Sequence, residues 1–254
     1  MSQNRLANKT AIVTGAARGV GRGIALAFAR EGANVAIVDL LAEQAEQTAA
    51  ELRALGAQAV ALTGDVGLRA TADRIVADVA ARWGGVDILV NNAQNTHIKP
   101  FEQVTDEDIH LAYATGTLAT VYFTQAVFPH FRAKNHGKVI NFASGAGIAG
   151  QYGQAAYTMA KEAIRGLSRV LATEWGQYGI NVNVICPFAN SPGMLQWAQD
   201  YREVYEAAMA TLPMRRLGDC EDDVGRTAVF LASHDSDYIT GQTIMVDGGG
   251  VMVR

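Results

Sequence analysis

Residues 10–39 read TAIVTGAARGVGRGIALAFAREGANVAIVD. A short β-branched run is followed by a turn carrying Gly15, Gly19 and Gly21, an Ala-rich amphipathic stretch, and a second β-branched run that closes on Asp39. That order predicts strand, glycine turn, helix, strand. Glycines at such a turn let the backbone approach a pyrophosphate, and the helix start behind them offers unpaired N–H groups and the positive end of a dipole. A plain tight turn would explain the glycines alone; their place directly after the first strand favours a dinucleotide site. Asp39 is placed to accept hydrogen bonds from the adenosine ribose hydroxyls, which predicts NAD. Arg18, inside the turn, pulls toward NADP, because a guanidinium pairs with the extra phosphate. Asp39 outweighs it, since a carboxylate against that phosphate sets like charges in contact.

The same alternation continues outward. AVAL (59–62), VDILVN (86–91), KVINFA (138–143), INVNVIC (180–186) and QTIMVD (242–247) complete seven expected strands, separated by helical stretches such as AEQAEQTAAELRALG. Strand and helix taking turns predicts an α/β fold with a doubly wound parallel sheet. No repeat, low-complexity segment or linker divides the chain, so residues 1–254 are expected to form one dinucleotide-binding domain. The irregular part begins at PFANSPGM (187–194), after the sixth strand, at the sheet edge where open α/β folds bind ligands. Residues 188–215 are read as a lid, with Met194, Leu195, Trp197, Tyr201, Tyr205 and Met209 either lining an apolar substrate cleft or packing the segment onto the domain. GDV (64–66) puts Asp65 at the end of the third strand, where it can meet an adenine amino group, and Asn91, Asn92 and Ala93 end the fourth. Ordinary satisfaction of loose backbone groups explains each of these equally well.

Composition narrows the function classes. The chain has 254 residues, 49% of them hydrophobic, and a net charge of -4 with no basic run. That argues against nucleic acid and against an anionic membrane surface as partners. No secretory leader or membrane-spanning run is read, and a cytoplasmic location is expected. Cys186 and Cys220 form no CxxC pair, and His97, His110, His130, His136 and His234 lack ligand spacing, so no metal is expected. His97 follows the fourth strand closely enough to reach a substrate cleft.

After the fifth strand come Ser144 and then a helical stretch with Tyr157 and Lys161, whose i, i+4 spacing puts both on one helix face. A phenol titrates near pH 10 and is a poor base at neutrality, but an adjacent ammonium and an oxidised nicotinamide both favour the phenolate. In this reading Ser144 holds a substrate oxygen, Tyr157 exchanges its proton, and Lys161 tunes Tyr157. Such a pair on a helix is most often surface decoration; the upstream cofactor motifs give it weight.

Taken together, TGAARGVG, Asp39, GDV, NNA, the serine of NFAS, YTMAK, Pro187 and ITGQTIMVDGG resemble the pattern of the classical short-chain dehydrogenase/reductase family over nearly the whole chain. The resemblance implies a sheet of order 3-2-1-4-5-6-7. It also implies a nicotinamide cofactor contacted by Arg18, Val20, Asp39, Asp65, Val66, Asn92, Tyr157 and Lys161, with Gly15, Gly19, Gly21, Ala93 and Pro187 around it. A homotetramer is expected. Trp175, Phe128 and Phe131 lie on helices that the family uses for subunit contacts, and core packing explains them as well.

Three positions depart from the family pattern. NNAG reads NNAQ, with Gln94 placing a side chain near the nicotinamide. Gly116 stands where a catalytic asparagine, which holds a water linking the lysine to solvent, is usual. PFANSPGM replaces the usual loop, so Asn190 is the candidate for the carboxamide contact. The expectation is an NAD-dependent oxidoreductase acting on a secondary alcohol or ketone, with an apolar or cyclic substrate. Water or a polar neighbour such as Gln94, Thr115 or Thr117 would replace the missing amide. The alternatives are a cofactor-binding member without redox turnover and a redox-neutral reaction on the same fold.

Overall fold

In the computed structural model, which describes residues 4–252, each of the seven β-branched runs forms a strand. The strands are β1 (Thr10–Thr14), β2 (Asn34–Asp39), β3 (Ala59–Thr63), β4 (Ile88–Asn91), β5 (Gly137–Phe142), β6 (Ile180–Pro187) and β7 (Thr243–Val246). They make a sheet of order β3-β2-β1-β4-β5-β6-β7, parallel at every pairing, as the sequence leads one to expect. Strand ends differ from the expected ones by up to two residues. At β4 the reason is visible: Asp87, expected inside the strand, turns its carboxylate to Thr10 N (2.9 Å) and Lys134 Nζ (2.6 Å).

The main helices are α1 (Gly19–Arg30), α2 (Ala42–Ala54), α3 (Arg69–Trp83), α4 (Asp106–Ala112), α5 (Ala119–Lys134), α6 (Gly145–Ala149), α7 (Ala155–Trp175), α8 (Pro192–Asp200), α9 (Arg202–Thr211) and α10 (Arg226–Ala232). A π-helical stretch, Tyr113–Leu118, joins α4 to α5, and another, Cys220–Gly225, precedes α10. The alternate directions of strand side chains split the core into two layers. Val13, Val35 and Ile37 pack with Ile24 and Phe28 of α1 on one face. Ile12, Ala36 and Val38 pack with Ile75 of α3 and Phe123 of α5 on the other. Because helices cover both faces, β1 is buried at every residue, and its centre, Ala11 to Val13, is apolar throughout rather than alternating. Phe28, Phe123 and Phe131 are fully buried, each contributing about 2–3 kcal/mol by leaving water. Trp175 belongs to this core too, stacked on Phe128 with ring centroids 4.5 Å apart.

A buried polar chain ties the sheet centre to the long helices behind it. Asn91 donates to Asn141 Oδ1 (2.8 Å) and Thr124 Oγ1 (3.2 Å), and Asn141 donates to Ser168 Oγ (2.9 Å) on α7. Every link is a satisfied donor and acceptor, so the chain fixes the height of α7 against β4 and β5. The segment read as irregular after β6 is helical. Ser191 caps α8, accepting from Met194 N (3.3 Å), with Pro192 in the first turn.

Candidate active site

The carboxyl ends of β1, β2, β4, β5 and β6 deliver the expected residues to one edge of the sheet. At the end of β1, Gly15 (φ +64°) and Gly19 (φ +59°) adopt left-handed backbone that side chains disfavour. A Cβ on Gly15 would also come within 2.8 Å of Ala93 Cα, so this turn and the end of β4 touch through backbone. Arg18 is the N-cap of α1 but makes no side-chain cap, leaving the first N–H groups of the helix, at Gly19, Val20 and Gly21, without one. Arg18 itself is exposed. Asp39, at the end of β2, accepts from Ala17 N (3.0 Å) through one oxygen and from Leu41 N (3.1 Å) through the other. Both bonds lock the carboxylate in place beside the glycine turn.

Several expected contacts have a bracing role as well. Asn92 donates from Nδ2 to Thr14 O and Gly15 O (both 3.0 Å), so its side chain holds the glycine turn. Thr14 Oγ1, which the sequence reading overlooked, accepts from Asn92 N (3.0 Å) and Ala93 N (3.1 Å) and completes that brace. Asp65 accepts from Gly67 N (2.9 Å), the local turn-forming arrangement, with Val66 buried next to it.

Pro187 ends β6. The Asn190 side chain turns away to the next turn, where Oδ1 accepts from Cys220 N (3.1 Å) and Nδ2 donates to Asp219 (3.3 Å). A carboxamide contact from Asn190 would require it to leave that turn. Ser191 is a second residue that sequence reasoning missed: it lies against the glycine turn, its Cβ 3.4 Å from where a Cβ on Gly19 would stand. The signal was present, since Ser followed by Pro before an apolar run marks a helix start.

Ser144, Tyr157 and Lys161 converge at the end of β5. Ser144 caps α6, its Oγ accepting from Ala146 N (3.1 Å), and its hydroxyl stands close enough to Tyr157 to act on the phenol. Lys161 is buried, donates to Phe142 O (2.9 Å) and lies 5.6 Å from the centre of the Tyr157 ring. Burial pushes the Lys161 amine down to about 8 and pushes the Tyr157 phenol up, while the Ser144 hydroxyl pulls the phenol back. Desolvation disfavours whichever form is charged, so both shifts have one cause. By themselves the three residues hold the phenol protonated at neutral pH, and an added positive charge is what would release its proton.

Beyond these three residues, His97 is exposed and held by Asp108 (Nδ1 to Oδ1, 2.8 Å), which also takes Lys99 Nζ (2.7 Å). Lys99 N donates to Gly153 O (2.9 Å), so this clamp pins the loop after β4 to the turn that starts α7. In α8 and α9 no residue is fully buried; Trp197 packs on Tyr201 and Tyr205, with ring centroids 6.1 and 6.4 Å away. Among the described residues, no group of His, Cys, Asp and Glu is arranged to hold a metal, and no helix is long and apolar enough to cross a membrane.

Comparison with known proteins agrees with this geometry. The profile of the family described as enoyl-(acyl carrier protein) reductase matches residues 15–250. The chain is 41% identical over 249 residues to a 12α-hydroxysteroid dehydrogenase of Clostridium sp., covering 95% of this chain and 96% of that protein. It is 40% identical over 258 residues to a sorbitol dehydrogenase of Cereibacter sphaeroides, covering 98% and 99%. A crystal structure assigned as a short-chain alcohol dehydrogenase from Sinorhizobium meliloti superposes with a TM-score of 0.92 at 33% identity, covering 96% of this chain and 97% of that one. The glycine turn, the parallel sheet of this order and the Ser144–Tyr157–Lys161 cluster thus belong to a member of the short-chain dehydrogenase/reductase family.

Proposed function

We propose that this chain oxidises a secondary alcohol, or reduces the corresponding ketone, with NAD(H). The observation that carries the reading is the buried amine of Lys161 beside the Tyr157 ring, with Ser144 next to the phenol, at the sheet edge that also holds the glycine turn and Asp39. The residues fit a dinucleotide: uncapped N–H groups of α1 suit a pyrophosphate and the locked Asp39 carboxylate suits a ribose diol. Gly15, Arg18, Gly19, Val20, Gly21, Asp39, Asp65, Val66, Asn92, Ala93 and Pro187 would surround it. When bound, the nicotinamide supplies the hydride chemistry and a positive charge in its oxidised form. Ser144 orients the carbinol oxygen, Tyr157 takes its proton, and Lys161 favours the phenolate.

Asp39 favours NAD over NADP. Its carboxylate cannot swing aside without breaking the bonds from Ala17 N and Leu41 N, whereas Arg18 is free to move in solvent. The half-buried Met194, Trp197, Tyr205 and Met209 of α8 and α9 favour an apolar or cyclic substrate. The relatives named for a hydroxysteroid and for sorbitol span very different polarities, so both belong in the test. Purified protein is mixed with NAD or NADP and with cyclohexanol, a 12α-hydroxysteroid or sorbitol, and reduced-nicotinamide absorbance is followed. Turnover is expected with NAD and an apolar cyclic alcohol. Preference for NADP would contradict the role given to Asp39, and no turnover with any pair would favour a cofactor-binding protein, the second reading that Gly116 supports.

A further inference from the structure

The loop between β4 and α4, residues 92–105, forms no strand and only one short helical turn, so its path is set by what its side chains hold. At its start the Gln94 carboxamide fills the space that a Cβ on Gly116, in the π-helical stretch, would need. Asn95 N then donates to Thr115 Oγ1 (2.9 Å). Farther on, the loop is fastened to α4 through one carboxylate. Asp108, whose side chain is 4% exposed, accepts from His97 Nδ1 (2.8 Å) on Oδ1. On Oδ2 it accepts from Lys99 Nζ (2.7 Å), Thr105 N (2.9 Å) and Thr105 Oγ1 (3.2 Å). A capping box for α4 asks of this side chain only the bond from Thr105 N. The bonds from His97 and Lys99 add nothing to that cap; they fasten residues 97 and 99. Lys99, Thr105 and His97 together hold the Asp108 carboxyl well below the usual carboxylate range, so the anchor is ionised at neutral pH.

The far end of this clamp meets the start of α7. Lys99 N donates to Gly153 O (2.9 Å), and Lys99 pairs with Gln154 as a parallel bridge. Ile98 Cγ2 lies 3.2 Å from where a Cβ on Gly153 would stand. The turn has little of its own to hold it. Gly150 (φ +68°) and Gly153 (φ +77°) both adopt left-handed backbone, and Gln154, the N-cap of α7, makes no side-chain cap. Tyr157 sits in the first turn of that helix. Helix α4 also packs beside it, Ala112 with Ala156 and Ala160. Lys99 therefore ties the uncapped end of the helix that carries the phenol to a buried charge on a neighbouring helix.

Resting on the reading of Tyr157 given above, we propose that Asp108 and Lys99 are positioning residues for Tyr157, the carboxylate anchoring Lys99 and the Lys99 backbone bracing the first turn of α7. Neither touches the reacting atoms. The brace sets where the phenol stands relative to Ser144, and a misplacement of about 1 Å in a reacting group costs about 10²-fold in rate.

Two single variants and their combination test the brace. Lys99→Met keeps the aliphatic stem and leaves Asp108 with His97 and Thr105 as partners. Its expected result is a kcat for alcohol oxidation lower by roughly 10- to 100-fold, with the KM and dissociation constant for NAD within about 2-fold of wild type. Asp108→Asn, whose carboxamide can still accept from Thr105 N but cannot take both His97 and Lys99, should fall by a similar factor. The double variant should be no slower than Asp108→Asn, because both changes cut one brace. A kcat near wild type in Lys99→Met, a loss confined to KM, or losses that multiply in the double variant would overturn the proposal. Hydrogen exchange of the proteins without cofactor supplies a readout that needs no turnover. Deuterium uptake at residues 153–161 should rise in Lys99→Met while uptake in β1 and α1 stays at the wild-type level. Unchanged uptake at 153–161 would overturn the brace. A wild-type protein that oxidises no alcohol would instead sink the dehydrogenase reading, while the exchange result still decides whether Lys99 holds this turn.

Discussion

At the scale of single residues, Lys161 is an amine held in a site that resists its charge. Its amine is buried and depressed from 10.5 to about 8, so below pH 8 the folded protein keeps a charge in a site that resists it, whereas the unfolded chain keeps that charge in water. Between about pH 8 and 10.5 the folded amine is neutral while the unfolded one still binds a proton, so this group makes stability rise with pH through that window. Lys161→Met removes the titration. The stability of wild type relative to this variant, from urea unfolding, should therefore increase by about 2 kcal/mol between pH 7.5 and pH 10. A difference that stays flat would mean the amine is solvated. Such a strained pair is common where chemistry needs a shifted group, and its identity was legible from the i, i+4 spacing. The direction of the phenol shift was not, because the desolvation of Tyr157 comes from tertiary packing that no local pattern reports.

At the scale of elements, the strands were legible and the helices α8 and α9 were not, for related reasons. Helices cover β1 and β2 on both faces, so burial writes itself into the sequence as continuous β-branched runs. Helices α8 and α9 bury no residue completely, so they lack the continuous buried runs that mark the strands; the Ser191–Pro192 start was a local sign. Helix α1 is pinned at a place that no pattern shows. A Cβ on Gly23 would collide with the backbone of Cys220 and come within 2.7 Å of Glu221 N. In an exposed helix Gly→Ala adds about 1 kcal/mol of stability. Here the sign should invert: Gly23→Ala must separate α1 from the 220–225 turn and is expected to destabilise by about 1–3 kcal/mol, read from the urea midpoint. The same turn holds the Asn190 side chain at Cys220 N, so the displacement would reach the segment that leads into α8. A midpoint equal to or above wild type would show that the packing yields without strain.

At the scale of the whole molecule, one sheet edge collects groups that are far apart in the chain, and its logic was readable because most of them lie at strand ends, with Tyr157 and Lys161 reaching it from α7. The Gln94–Gly116 relation was hidden for the opposite reason. Each residue alone reads as a departure, and only the bulge of the π-helical stretch reveals that they occupy one space. The overall claim is that Tyr157 exchanges a proton with an alcohol beside a bound nicotinamide. Its most direct measurement is the turnover and NAD affinity of Tyr157→Phe, which removes the hydroxyl and keeps the ring. The account predicts NAD binding within about 3-fold of wild type and a kcat lower by about 10²–10⁴-fold. Turnover equal to wild type in that variant would contradict it.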